Sequence, residues 1–589
     1  MQQYLYMTDK FRSDNETLIM NNLVSNYQSS FRNQPGIELK NSWQKSIEIL
    51  QKHIPDQVPV VMEYVFPIGM HRVDYIAIGH KKAHLIEVKG WKSYEDVNGF
   101  TAIGNKKETI QPCYQLEDYL SKFKNFHSAA ESFDFSGSVF MYNTTDGNQC
   151  ELVYDPSEYE GKFSKSNLGI ASQEDVDSIV KGKFAISETL INFIRENKEK
   201  ILVKPQQTLV AKGFGLSEDQ MIIMQTIKKS IQDGKRKVYL INGKVGSGKT
   251  LVALTILLDL YSNGIKGLLA YRNNRLINTL RRALGTNLSE LLKFYSVGPM
   301  AMYSGIGEKN FDDSKLKEKM NFIIYDEAQR IKNIEMIRTC ISRAPVTVFF
   351  YDEGQILGKD ESGTRENFLK AIEEEGMEFQ EFTLNSVFRM RWGDEVGDFI
   401  DSLLNGSAKP IPEDYSFNLY DNINEMLDEL RIKESEDGGN KIALVAAWTE
   451  SSGRDGDDIR VKSPEIRWLM NEKTEYPQYW MEQRDIFSKC ASVYGSQGFE
   501  SDYVGVIWGR DLVWRDSWEV NASAIMDNIG GKASLRSIAQ NGNIELAKKL
   551  LINRYRILLS RGIKGISVYF EDQETYEHIR KMKESALDK

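Results

Sequence analysis

Eight residues, Gly243-Lys-Val-Gly246-Ser247-Gly248-Lys249-Thr250, sit between two apolar runs, Val238–Ile241 and Leu251–Leu258. No other stretch narrows the fold as far. A short apolar run, a glycine-rich turn and a longer apolar run read as strand, loop and helix in order. Gly243, Gly246 and Gly248, with Ser247, let successive backbone N–H groups curl around an anion. The helix N-terminus that follows adds its positive dipole end. Lys249 then reaches the β- and γ-phosphates of a nucleoside triphosphate, and the Thr250 hydroxyl holds Mg²⁺. The pattern demands an α/β unit and implies ATP as the ligand.

Downstream, short apolar runs alternate with amphipathic stretches: Gly267–Tyr271, Asn321–Tyr325, Val346–Tyr351, Ile442–Trp448, Tyr503–Trp508 and Gly565–Phe570. That rhythm predicts α/β units on parallel sheets, long enough for two lobes. Upstream, apolar runs paired as hairpins and flanked by helices predict a separate α/β domain. The expected organisation is a domain over 1–200, a linker over 201–215, a first lobe with the ATP site over 216–400 and a second lobe over 401–589. A net charge of −9 excludes a basic nucleic-acid coat, so nucleic acid must be met by local basic grooves. Cys113, Cys150, Cys340 and Cys490 have no metal-clip spacing, which speaks against an iron–sulfur cluster or zinc site, and disulfides are equally unsupported. Without a secretory apolar core or a bilayer-length apolar run, the chain is expected to be soluble and cytoplasmic, with no membrane partner.

Asn321-Phe-Ile-Ile-Tyr-Asp326-Glu327-Ala-Gln329 reads as a buried strand ending in two carboxylates. Asp326 is placed to hold the Mg²⁺ shell and Glu327 to polarise the attacking water. This ending resembles the superfamily-one helicases, and further stretches fit that family's order. The resemblance implies that Gln220, in Leu216-Ser-Glu-Asp-Gln220, reads adenine. It implies that Ala270-Tyr-Arg272-Asn273-Asn274 grips a nucleic-acid strand. Gln355, closing Val348-Phe-Phe-Tyr-Asp352-Glu-Gly-Gln355, would sense the γ-phosphate, and Arg389, in Leu384-Asn-Ser-Val-Phe-Arg389, would contact the phosphates. Gln497, Gly498 and Glu500, in Val493-Tyr-Gly-Ser-Gln497-Gly498-Phe-Glu500, would couple nucleotide to nucleic acid. Arg561, after Asn553-Arg-Tyr-Arg-Ile-Leu-Leu-Ser560, would act as an arginine finger. Arginines that reach the γ-phosphate only on closure let hydrolysis open and shut a cleft. The spelling Leu558-Leu-Ser-Arg-Gly-Ile-Lys-Gly565 is similar to a bacterial helicase subgroup related to the Schlafen helicase-like domain, and the resemblance spans Phe214–Asp572.

A second constellation lies upstream. Asp74 stands in His71-Arg-Val-Asp74, and Glu87 and Lys89 in His84-Leu-Ile-Glu87-Val-Lys89, with Gly79-His-Lys-Lys82 as a hairpin turn. Alternation puts Glu87 and Lys89 on one strand face, and an antiparallel partner lets Asp74 face them. Two carboxylates then hold Mg²⁺ or Mn²⁺ through oxygen, and the lysine positions or activates water for attack on a phosphodiester. This Asp followed by Glu-x-Lys across a hairpin resembles the PD-(D/E)xK nuclease superfamily. On the next helix Pro112 suits the first turn, and Gln115 and Tyr119 share a face. That Gln-x-x-x-Tyr resembles the extra motif of the RecB-like branch. The resemblance also calls for an upstream glutamate, Glu48 first and Glu63 second, and covers Gln44–Tyr119.

The expected fold class is therefore α/β: an N-terminal PD-(D/E)xK, restriction-endonuclease-like domain followed by two RecA-like parallel-sheet lobes. The layout resembles the bacterial nuclease–helicase immunity proteins of Nhi type. That resemblance implies ATP-dependent degradation of nucleic acid in anti-phage defence. ATP, with Mg²⁺ or Mn²⁺ at both sites, would be the cofactors, and single-stranded DNA, ahead of RNA, the partner. A repair or restriction-type machine, and an ATP-switched sensor with an inactive nuclease, stay open beside it, as does self-association.

Overall fold

The computed structural model describes residues 3–31, 33–66, 72–97, 100–105, 107–143, 153–154, 162–164, 167–184, 190–244, 246–285, 291–296, 305–307, 320–384, 393–407, 409–412, 415–436, 439–447, 466, 470–471, 473–527 and 531–587. The chain divides into two compact units, Met1–Ile186 with Lys204–Thr226, and Ser187–Val203 with Ile227–Lys589. Among the described residues no helix is long and apolar enough to cross a membrane.

The first unit is built on a mixed sheet. Strands β1 (Tyr4–Thr8), β2 (Val60–Val65), β3 (Arg72–Gly79) and β4 (Lys82–Lys89) lie antiparallel in that order. Strands β5 (Tyr94–Asp96), β6 (Thr101–Gly104) and β7 (Lys107–Ile110) form a small antiparallel sheet of their own. Strand β8 (Asp134–Met141) then pairs parallel with β4, and β9 (Val153–Tyr154) parallel with β8. A parallel pair needs a crossover, and the helix Pro112–Phe126 lies within it. Pro112 fixes φ where the N–H has no helical partner, and the Gln111 side chain accepts from the Tyr114 N–H at 2.7 Å. This helix buries Leu116, Tyr119 and Phe123 with Val61, Val73 and Leu85 of the sheet. Ile19, Leu23, Trp43 and Ile47, from helices Glu16–Phe31 and Ile37–Leu50, pack with Val60, Met62 and Tyr75. Spacing along the sequence gave no support for a disulfide, yet Cys113 is disulfide-bonded. A bridge depends on which loops fold back, and sequence spacing does not contain that.

The second unit holds two wholly parallel sheets. The first contains β10 (Lys237–Gly243), β11 (Gly267–Tyr271), β12 (Leu292–Ser296), β13 (Gly305–Gly307), β14 (Phe322–Tyr325), β15 (Val346–Tyr351) and β16 (Glu378–Leu384), in the order β13-β12-β11-β14-β15-β10-β16. Next along the chain come β17 (Ser416–Tyr420), β18 (Ile442–Ala446), β19 (Ala491–Ser492) and β20 (Ser501–Trp508), then a hairpin of β21 (Leu512–Trp514) and β22 (Trp518–Val520), then β23 (Gly562–Phe570). The second sheet runs β17-β23-β20-β18-β19. These are the two parallel-sheet lobes expected from the alternating runs. Covering on both faces explains why Val238, Tyr239, Leu240 and Ile241 are apolar without alternation and all buried.

The 201–215 stretch, expected as a linker, is helical over much of its length. Leu190–Val203 packs on helices Lys249–Ser262 and Asn274–Leu284 and buries Phe193, Ile194 and Ile201. Pro205–Ala211 buries Leu209 and Val210 in the first unit.

Candidate functional site

Strand β10 carries Gly243 to its end, and the loop turns into helix Lys249–Ser262. Gly246 and Gly248 have φ of 80° and 81°, a left-handed conformation that a Cβ opposes, so the turn needs glycine there. Lys249 Nζ donates to the Gly243 carbonyl and, at 3.0 Å, to the Lys244 carbonyl, and lies 3.9 Å from Asp352. Strand β14 leads into Asp326 and Glu327. Thr250 Oγ1 donates to Asp326 Oδ2 at 2.8 Å, and the Glu327 N–H donates to Oδ1 at 2.9 Å. Burial, then the neighbouring Glu327, pushes the Asp326 carboxyl up to about 6. Glu327 Oε2 accepts from Gln329 Nε2 at 2.5 Å. Strand β15 leads into Asp352, which accepts from Gln355 Nε2 at 2.8 Å. Gly498, Glu500 and Arg561 from the second lobe join Gly246, Ser247, Gly248, Lys249, Thr250, Glu327 and Gln355 around one cleft. Arg561 is 3% exposed and donates to the carbonyls of Ile557 at 2.9 Å and Phe499 at 3.1 Å.

In the first unit, the register sets Asp74 opposite Glu87, one position beyond the Tyr75–Ile86 pair. Asp74 Oδ2 accepts from the Val88 N–H at 2.8 Å. Lys89 Nζ donates to Glu87 Oε1 at 2.7 Å and to Gln115 Oε1 at 3.3 Å, and Gln115 Nε2 donates to the Tyr119 hydroxyl at 2.6 Å. The other Glu87 oxygen, Oε2, is buried without a hydrogen-bond partner. Burial, then Asp74, pushes the Glu87 carboxyl up to about 8, and burial raises Asp74 as well. Two adjacent buried carboxyls with an orphaned oxygen fit a hard divalent cation, which binds through oxygen and offsets the desolvation.

Glu63 also reaches this place, by a backbone irregularity. Its φ is 53°, and Met62 and Tyr64, two residues apart, pack in different cores, so the in–out alternation of β2 breaks at Glu63. Burial raises its carboxyl to about 7 against the pull of Arg72, and Asp74 adds to the rise. Glu63 accepts from Trp43 Nε1 at 2.7 Å and pairs with Arg72 at 3.0 Å. Glu48, the first-named upstream glutamate, is not brought to the acids. Its helix turns Trp43, Ser46, Ile47 and Leu50 inward and leaves Glu48 partly exposed, paired with Lys45 at 2.9 Å. Among the described residues no group of three His, Cys, Asp or Glu side chains is placed to hold a metal ion, so the acids amount to a two-carboxylate site.

The family model for the Schlafen group 3, DNA/RNA helicase domain matches residues 236–572, more than half of the chain. The chain belongs to that family. The match runs from the start of β10 to just past β23, so both lobes of the Schlafen group 3 helicase domain fall inside it and the acidic site outside. The "Uncharacterized protein YPL245W" of Saccharomyces cerevisiae is 22% identical over 392 residues, 58% of this chain and 83% of that protein. A crystal structure of Pif1 helicase from Candida albicans aligns at a TM-score of 0.29 and 12% identity, over 63% of this chain and 99% of that one, too slight a likeness to carry an argument.

Membership in this helicase family makes the chain an ATP-hydrolysing enzyme that binds nucleic acid, with ATP and a divalent cation at the cleft. The Thr250–Asp326 contact and the raised, buried Asp326 fit a cation at that point. Gln220 makes a capping box with Ser217: its N–H donates to Ser217 Oγ at 3.3 Å, and its Oε1 accepts from the Ser217 N–H at 3.1 Å. Gln497 accepts from Arg330 Nη1 at 3.0 Å, while its neighbours Gly498 and Glu500 line the cleft. Arg389 lies outside the described residues. Asn273, expected near a nucleic-acid strand, ties the lobes, donating to the Tyr494 carbonyl at 3.0 Å. Sequence reading missed Arg330, although an arginine directly after Asp-Glu-Ala-Gln was the available signal.

Proposed function

We propose that the chain is an ATP-dependent nuclease–helicase acting in anti-phage defence. In this reading, lobes over 216–400 and 401–589 move on single-stranded DNA, or on RNA, as ATP is hydrolysed. A PD-(D/E)xK domain over 1–200, followed by a connecting segment over 201–215, cuts the strand. The observation that carries the cutting half is the buried, partnerless Glu87 oxygen beside Asp74 and Lys89. Asp74 and Glu87 would hold a divalent cation, which would supply Lewis acidity at the scissile phosphate. Lys89, held by Glu87 and Gln115, orients water, and Tyr119 fixes Gln115 in turn. Glu63, balanced by Arg72, adds negative potential behind the pair. In the cleft, the loop N–H groups and Lys249 hold phosphates, and Thr250 and Asp326 form the cation's protein shell. Glu327 orients the attacking water, Gln355 senses the γ-phosphate, and Arg561 stabilises charge as it develops.

The test is cleavage of labelled single- and double-stranded DNA and RNA with Mg²⁺ or Mn²⁺, with and without ATP, by the full chain and by Glu87→Ala. Metal-dependent cleavage that disappears in Glu87→Ala supports the nuclease. Phage plating with the same variant then tests defence. One observation favours a second reading, an ATP-switched nucleic-acid sensor that does not cut: the described residues bring no third acid into a metal-holding group. Absence of cleavage on every substrate, with nucleic-acid-stimulated ATP hydrolysis intact, selects that reading.

A further inference from the structure

Tyr494 lies on the short helix Val493–Ser496 of the second lobe, 7% exposed, and three separate segments of the first lobe converge on it. From the end of β11, Asn273 donates to its backbone carbonyl at 3.0 Å. From the turn after β14, the Arg330 guanidinium stands 5.0 Å from its ring centroid and donates to Gln497 at 3.0 Å. From the turn after β15, the Leu357 carbonyl accepts from Arg554 at 3.3 Å, and Arg554 in turn lies 5.6 Å from the ring centroid and donates to the Tyr494 hydroxyl at 3.4 Å.

These attachments are not spread evenly over the lobe. Arg330 is three residues from Glu327, in the same tight turn, and Leu357 is two residues from Gln355. Glu327 and Gln355 both line the nucleotide cleft. On the second-lobe side, Tyr494 is four residues ahead of Gly498, which lines the cleft too, and Arg561 donates to the carbonyls of Ser496 and Phe499 in the same segment. The ring stands between two guanidinium groups: Arg554 belongs to the second lobe with it and pairs there with Asp527, whereas cation–π attraction to Arg330 of the first lobe is gained only while the lobes are apposed. The Arg330–Gln497 contact fixes the Gln497 amide orientation, which leaves its Nε2 buried without a partner. A buried donor without a partner disfavours this apposition, so the contacts across the lobes, the Arg330–Tyr494 one among them, offset it.

We propose that Tyr494 is a positioning residue that transmits closure of the two lobes to Glu327 through Arg330 and to Gln355 through Arg554 and Leu357. Tyr494 is not among the residues that line the cleft. It sets whether the cleft's hydrolytic groups stand in register when the second lobe arrives. The proposal rests on the cleft being the site of ATP hydrolysis.

The experiment compares full-length wild type, Tyr494→Leu, Tyr494→Phe, Arg330→Met and the double variant Tyr494→Leu with Arg330→Met. Steady-state ATP hydrolysis, affinity for a non-hydrolysable ATP analogue and thermal unfolding are measured on each. Tyr494→Leu is expected to lower kcat about tenfold or more while analogue affinity stays within about threefold, and Tyr494→Phe, which keeps the ring, to rescue most of the rate. Arg330→Met reproduces the leucine phenotype, and the double variant is no worse than the worse single, because both remove one linkage. Wild-type kcat in Tyr494→Leu overturns the proposal. So does joint loss of rate, affinity and thermal stability in Tyr494→Leu, which marks the ring as packing alone. An inert wild type removes the reading of the cleft and this proposal together, whereas an active wild type beside an unaffected leucine variant removes the proposal alone.

Discussion

Glu327 is held at φ 54°, where a residue with a Cβ is strained by on the order of 1 kcal/mol. Two contacts keep it there. Its N–H donates to Asp326, and its carboxylate accepts from Gln329. The strain aims the side chain into the cleft, where an ordinary strand exit would leave its direction to chance. Glu327→Gln keeps the length and an acceptor oxygen but loses the charge that polarises water. Nucleotide affinity should stay within about threefold while turnover falls about a hundredfold or more. Binding isotherms beside steady-state rates check this, and an unchanged turnover would move the water-orienting role to another residue. The sequence made this glutamate legible, with Lys249, Thr250 and Asp326, because each motif is contiguous and its spacing encodes the geometry. The contacts of Asn273 and Gln497 were hidden for the opposite reason: they lie 221 and 167 residues away along the chain. No local pattern carries such a pairing.

Strand β4 carries different chemistry on its two faces. Glu87 and Lys89 share one face and His84 lies on the other, as period-two alternation requires. His84 Nδ1 and Nε2 each lie 2.8 Å from a hydroxyl of β8, Ser136 and Ser138. Burial, with a smaller push from Lys162, holds the imidazole down to about 4. An unfolded histidine titrates near 6.5, so between about 6.5 and 4 the unfolded chain binds a proton that the folded chain refuses. The contribution of His84 is thus complete above pH 6.5 and is lost as pH falls toward 4, by about 3 kcal/mol over the window. His127, held near 4 by burial, acts with the same sign. Thermal unfolding of the full chain from pH 7.5 to 4.5 should show the loss, and His84→Gln should remove part of the slope and leave the His127 part. A slope unchanged in His84→Gln would mean that the imidazole is already charged in the folded state. The hairpin of β3 and β4 was legible because its turn residues and alternation are local. The break at Glu63 was not, because a positive φ in the middle of an apolar run leaves no mark in residue type.

At the scale of the whole molecule, the alternation of apolar runs gave both parallel sheets, but the path between the units was hidden. The chain passes between them after Ile186, after Val203 and after Thr226. Helix Leu190–Val203 has an apolar face that had to be buried. Periodicity tells that such a face exists, and only tertiary packing tells that helices Lys249–Ser262 and Asn274–Leu284 receive it. This organisation bears directly on Lys89. Its partners Glu87 and Gln115, and Tyr119 behind them, all belong to the first unit, while Lys249, Thr250, Asp326, Glu327 and Arg561 all belong to the second. Lys89→Ala removes one ammonium from the first unit and leaves every hydrogen bond of the cleft in place. It should stop metal-dependent cleavage and keep ATP hydrolysis within about twofold, since sites with no shared partner behave additively. Cleavage and ATP hydrolysis are measured on one preparation. If both fall together, the two chemistries are linked through the three passages of the chain, and each site has to be treated as a sensor of the other.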